Sequence, residues 1–315
     1  DIATGGTIRW RARLDTPAGP SAVAARDGLV ALAGGSGGLE LHDSAVLGDL
    51  QVAGSVDVPG RGHRLFASGD TAFVESPVRV DRAVTVRSVD VVDASDPTAP
   101  RVASTLSDVG AGAAIGNSLL VPETDGVTIY DVSNPYAPVP GAHVVTRHRA
   151  NSVAVTGSTA VAVGFDPDRC CVFSWLDVID LADIAHPRVR GQTGGEWSAG
   201  AVAAADGFVY VAGSAGPAQI VDVRDPDRPA VVAQLADLYS VRSIAVQDRI
   251  GFFVQDFTDS RVVDLTDPAA PVVLASMRTP GIGAVATTPG YVFMAFERYS
   301  GLRVFDTSDP SDLRE

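Results

Sequence analysis

Ile220-Val221-Asp222-Val223-Arg224-Asp225-Pro226-Asp227-Arg228-Pro229 decides the fold, because it returns 42 residues later as Val262-Val263-Asp264-Leu265-Thr266-Asp267-Pro268-Ala269-Ala270-Pro271. Each copy is a short β-branched run ending in Asp, then a turn. Asp or Asn followed by Pro, whose φ is fixed, favours a type I turn, and the preceding Asp can accept hydrogen bonds from the turn amides. The motif therefore reads as a strand, a tight turn and a second antiparallel strand.

Working outward, Val91-Val92-Asp93 with Asp96-Pro97 and Pro100, Ile129-Tyr130-Asp131 with Asn134-Pro135 and Pro138, Val178-Ile179-Asp180 with Asp183 and Pro187, and Val304-Phe305-Asp306 with Asp309-Pro310 repeat it. A degenerate copy, Leu39-Glu40-Leu41-His42-Asp43, lacks the prolines, and Ile184 replaces the first Pro of the fourth copy. The anchor aspartates 43, 93, 131, 180, 222, 264 and 306 make seven units of the length of a four-stranded propeller blade. Residues around 240–246 and 250–254 read as the first two strands of one unit, and 271–277 as its fourth. First strands are rich in Ala, as at 22, 24, 25, 113, 114, 201, 203 and 204, which suits a crowded inner ring. Pro140 falls on an outer strand, where a missing donor is tolerated. The expectation is one all-β domain over 1–315, a seven-bladed β-propeller. Thr7–Leu14 supplies the strand that the seventh unit lacks and closes the ring, which removes two sheet edges.

The repeated hydrophobic-Asp unit followed by Ser/Thr-Asp-Pro-x-x-Pro resembles the LVIVD-repeat proteins, a β-propeller group. The resemblance covers nearly the whole chain. It implies the fold and an exported or cell-surface setting, and it implies no single activity.

Composition narrows the function classes. The 315 residues carry 38 Asp+Glu against 24 basic residues, all Arg, for a net charge of -14. An acidic chain lacks the basic footprint of nucleic-acid binding, and the absence of Lys removes phosphate-loop, Schiff-base and Ser-x-x-Lys chemistry. No apolar run approaches the roughly 18–20 residues of a membrane span. The start at Asp1 leaves room for a removed export signal. Gly34-Gly35-Ser36-Gly37-Gly38 matches a nucleophile-elbow pattern formally but reads as a hairpin loop without the required helix.

Two long repeat intervals trace to second-to-third-strand connections, at 75–87 and 164–175. Both lie on the face conventionally called the top, where the crossings between blades also lie, and insertions mark the elaborated face. The ligand surface is therefore expected there. Arg64, Arg149 and Arg242 offer forks for an anion, and Glu75, Glu123, Glu297, Arg298 and Asn151 offer further polar contacts. Trp197 offers a flat face for a sugar. His63, His148 and Tyr239 are the candidates for moving a proton. His42, His143 and His186 fall on strands or bottom turns and read as structural. The adjacent Cys170 and Cys171 cannot staple distant elements. In an oxidising compartment they are expected to bond to each other, and otherwise to serve as thiols.

Two functions fit. One is a binding propeller, monomeric, holding a small anionic molecule, a glycan or a protein at the top mouth. The other is a lyase, isomerase or cyclase acting on a carboxylated or polyhydroxylated substrate there, with arginines neutralising the carboxylate. No cofactor is evident, and a divalent metal at the channel mouth stays compatible with the residues, although sequence spacing shows no coordination signature.

Overall fold

In a computed structural model, the described residues are 9–307 apart from 15–18, 27, 35–37, 45–49, 59–61, 63, 80–84, 111, 166–172, 198, 215, 256–258, 278–280 and 297–300; at 9–14, 77–79, 85 and 86 only the backbone is described. They form seven four-stranded antiparallel sheets in a ring. The blades, written from inner to outer strand, begin with blade 1 at Ala22–Arg26, Leu29–Ala33, Leu39–Asp43 and Gln51–Val56. Blade 2 is Arg64–Ser68, Thr71–Arg79, Thr85–Asp93 and Arg101–Ser107; blade 3 is Ala113–Ile115, Ser118–Pro122, Gly126–Asp131 and Val139–Val145. Blade 4 is Ala150–Thr156, Thr159–Phe165, Ser174–Asp180 and Arg188–Gly195; blade 5 is Ala201–Ala205, Phe208–Ala212, Ala218–Asp222 and Ala230–Leu235. Blade 6 is Val241–Gln247, Ile250–Gln255, Ser260–Asp264 and Val272–Met277. Blade 7 is Ile282–Thr288, Tyr291–Phe296 and Gly301–Asp306, and its outer strand is Arg9–Leu14 from the other end of the chain. That strand pairs antiparallel from Arg9 opposite Asp306 to Leu14 opposite Leu302, as the ring-closure reading expects.

The core lies between blades. Phe252, Val254, Val262, Val292, Met294 and Phe305 fill one inter-blade layer, and Val161, Leu176, Val178, Val209 and Val221 fill another. Alternation makes this work. Successive strand residues face opposite sides of the sheet, and both sides are covered by a neighbouring blade.

The motif's turn chemistry is direct. Asp93, Asp131, Asp180, Asp222 and Asp264 each accept a bond from the amide two residues on, at 2.8–3.0 Å. The second Asp or Asn does the same, as in Thr98 to Asp96 and Tyr136 to Asn134. The residue after each anchor donates its amide to the inner hairpin of the same blade in all seven copies, from Ser44 to Gly28 through Thr307 to Gly290. A register irregularity, in most blades one extra outer-strand residue, then bends every outer pair just past the motif.

In blades 1, 2 and 4 the outer strand then lies against the next blade's turn. Arg190 donates to Asp227 at 2.6–2.8 Å, Ser104 to the Pro135 carbonyl at 2.7 Å, and the Tyr136 hydroxyl to Asp93 at 3.0 Å. The Asp-Pro turns are thus braces between blades as well as hairpin ends.

The first of the two expected insertions differs from a plain loop. Thr71–Arg79 and Thr85–Asp93 stay paired through Arg79 opposite Thr85, so blade 2 extends as a long hairpin. Val78 and Val86 at facing positions favour continued strand pairing. The second insertion, with Cys170 and Cys171, lies outside the described residues.

Candidate functional site

Among the described residues, two cavities open on the top face. The first is the axial channel mouth, about 280 Å³, walled by starts of inner strands that include Ser21, Gly112, Gly200 and Ser243, with Arg64 and Arg242. Arg64 comes from blade 2 and reaches across. It donates to Ser152 Oγ at 2.7 Å in blade 4 and to the Gly200 carbonyl at 2.9 Å in blade 5, with Glu75 at 3.9 Å behind it. Burial lowers its pKa from the usual arginine value, and Glu75 opposes that. Arg64 is therefore a bar across the channel, with its fork committed to protein acceptors. Glu75 is 4% exposed and sits beneath two arginines, the other being Arg87 at 3.3 Å. It compensates these charges and offers no open face to a ligand.

The second cavity is a recess of about 220 Å³ where blades 2, 3 and 4 meet. Arg87, Asp108 and Gly110 form one wall, Pro122, Glu123 and Thr124 another, and Arg149, Ala150 and Asn151 the third. Asp108 holds a left-handed backbone, φ 63°, which Asp tolerates better than most residues and which turns the chain into the crossing. Among the described residues Arg149 has neither a hydrogen-bond nor an ion-pair partner. Asn151 Nδ2 is buried and unpaired. A buried donor without an acceptor is costly, and Asn151 itself is one of the residues lining the recess. Glu123, Arg149 and Asn151, singled out from sequence, come together here. Arg87 and Gly110 were missed as site residues because nothing local marks them; only the ring brings them opposite Arg149.

Other expectations separate. Trp197 requires a correction: it is 3% exposed and packs in the core between blades 4 and 5, so its indole offers no ligand face. Trp175 is the half-buried indole of that region, stacked on His148 at 5.4 Å, with Arg147 4.4 Å from its ring centre. Asp177 lies beneath, accepting from Gln192 at 2.5 Å and from the Arg147 amide at 3.3 Å; burial still pushes its carboxyl up. His148 thus belongs to an aromatic stack on blade 4. Tyr239 is exposed on the crossing into blade 6, where its carbonyl accepts from Gln255. Neither residue lines the channel mouth or the recess. Arg242 lines the channel mouth. His63, Cys170, Cys171, Glu297 and Arg298 lie outside the described residues.

His143 falls on a strand, as its sequence position suggests. It sits near the top end of the outer strand of blade 3, opposite Thr128, with its ring beside Glu123 and Asp125. A bottom-face recess of about 400 Å³ between blades 5 and 6 holds Asp222 and Arg224, but these pair with each other at 2.5 Å.

Among known proteins, the family model of the LVIVD repeat matches residues 197–237. No curated protein sequence matches. A chain in a crystal structure of the mitotic checkpoint complex superposes with a TM-score of 0.70 at 12% identity, covering 97% of this chain and 93% of that one. A computationally designed protein superposes with a TM-score of 0.61 at 10% identity, covering 93% and 97%. At these identities the likeness is one of fold.

Proposed function

With the chain an LVIVD-repeat β-propeller, we propose that it is a binding propeller whose top face captures a small anionic or glycan-like ligand in the recess between blades 2, 3 and 4. One observation carries the reading: Arg149, free of protein partners among the described residues, lines the same cavity as Arg87 and Asn151. A guanidinium fork and an amide donor match a carboxylate or phosphate. Glu123 and Asp108 in the same walls can accept from hydroxyls, which favours an anion that also carries donors, such as a uronate. The channel mouth supports this less well, because Arg64 is spent on Ser152 and Gly200. The setting proposed is the cell surface or outside it. Intact mass measurement without reduction should then show Cys170 and Cys171 joined; two free thiols would count against export.

The binding test is a thermal-shift screen of the whole chain with glucuronate, neutral sugars and inorganic phosphate. An anion should raise the melting temperature, and Arg149→Ala and Asn151→Ala should abolish the shift. A shift that survives Arg149→Ala, or none with any anion, defeats the proposal.

A further inference from the structure

We propose that Glu123, Asp125 and His143 form a divalent transition-metal site on blade 3, of the kind that zinc occupies. This goes beyond the anion reading and does not depend on it. One ligand atom from each residue can be chosen so that all lie within 4.8 Å of one another. His143 Nε2 is 3.5 Å from Asp125 Oδ1, and Glu123 Oε2 is 3.8 Å from the same ring at Nδ1. Two ligand atoms bound tetrahedrally to one zinc ion stand about 3.4 Å apart, so the imidazole and Asp125 are already near coordination distance.

The surroundings favour a cation. His143 Nδ1 is 2.9 Å from Thr128 Oγ1, which orients the ring; in the tautomer that donates from Nδ1 to the hydroxyl, Nε2 is left to ligate, as with partners of metal-bound histidines. Among the described residues neither carboxylate forms an ion pair with an arginine, unlike Asp180 and Asp227, which share Arg190. The ligands come from a short loop between two paired strands and from the adjoining outer strand, so register holds them together. One histidine and two carboxylates leave a coordination position for water or a ligand. Glu123 also lines the anion recess, which puts the ion at its rim.

The competing explanation is that His143 and the two acids only contact one another, without measurable affinity for a metal ion. The test is calorimetric titration of metal-free full chain with zinc, repeated with cobalt for its visible spectrum. One ion per chain is expected, with the intense visible bands of tetrahedral cobalt. His143→Ala should weaken binding by about tenfold or more, and so should Asp125→Asn, whose side chain is 73% exposed and so leaves folding intact. Glucuronate binding should survive Asp125→Asn in the absence of metal, which separates the two sites. Failure of zinc to bind at millimolar concentration, or binding unchanged in both variants, overturns the assignment.

Discussion

Gly54 and Gly191 lie on outer strands where the next blade's Asp-Pro turn presses closest. A Cβ on Gly54 would stand 2.5 Å from the Pro97 carbonyl oxygen and 2.8 Å from Pro100 Cδ. One on Gly191 would be 2.6 Å from Pro229 Cδ. Gly191→Ala should therefore cost about 1–3 kcal/mol through overpacking, read from urea unfolding, while Gly157→Ala, at an open site, should act only through its left-handed backbone. Charge at the same motif sets acid sensitivity. Hydrogen bonds from turn amides and hydroxyls hold Asp93, Asp96, Asp131 and Asp264 below the usual carboxylate range. Each contributes stability that is complete above the unfolded value of about 3.9 and lost as pH falls through the lower folded one. The melting temperature should drop steeply below that value. Asp90 has the opposite sign: fully buried, with one oxygen unpaired, its carboxyl is pushed up by desolvation. Its ionised form opposes folding at neutral pH, so Asp90→Asn should raise the melting temperature at pH 7 and change little near pH 3. The turn aspartates were readable in sequence because their partners lie two residues away. The ligand face expected of Trp197 fails because its burial is set by residues far along the chain.

The strand Arg9–Leu14 closes blade 7 by pairing with Gly301–Asp306. Removing residues 1–14 should strip the ladder from that edge, lower the melting temperature sharply, and expose a strand able to recruit another chain. Calorimetry and size-exclusion chromatography read both effects; an unchanged melting curve would overturn closure as the stabilising contact. Element count, order and closure were legible because each blade repeats one local grammar. The length of the blade 2 hairpin was not, since valines at 78 and 86 fit a strand or a loop until their register is seen. The site was legible only in parts. Glu123, Arg149 and Asn151 could be named from the top-face crossings, but their convergence with Arg87 depends on how three blades abut.

At the scale of the whole molecule, the -14 charge is unevenly placed. The anchor and second acids sit mainly on the bottom turns, whereas the top recess balances Arg87 and Arg149 against Asp108 and Glu123. Self-repulsion among the acids should make the protein less stable at low ionic strength. Raising salt to about 0.15 M, where the Debye length is about 8 Å, should lift the melting temperature; a fall would mean that paired charges dominate. The shared seventh blade has a consequence for synthesis. Its outer strand is made about 300 residues before its partner, which at roughly 5–20 residues per second is a wait of about 15–60 s. The nascent chain must carry that unpaired leading strand past six blades that can already fold. Completing the ring thus follows the synthesis of every other blade and is a pairing of very high contact order, and the interval before it is when a chaperone would be needed most.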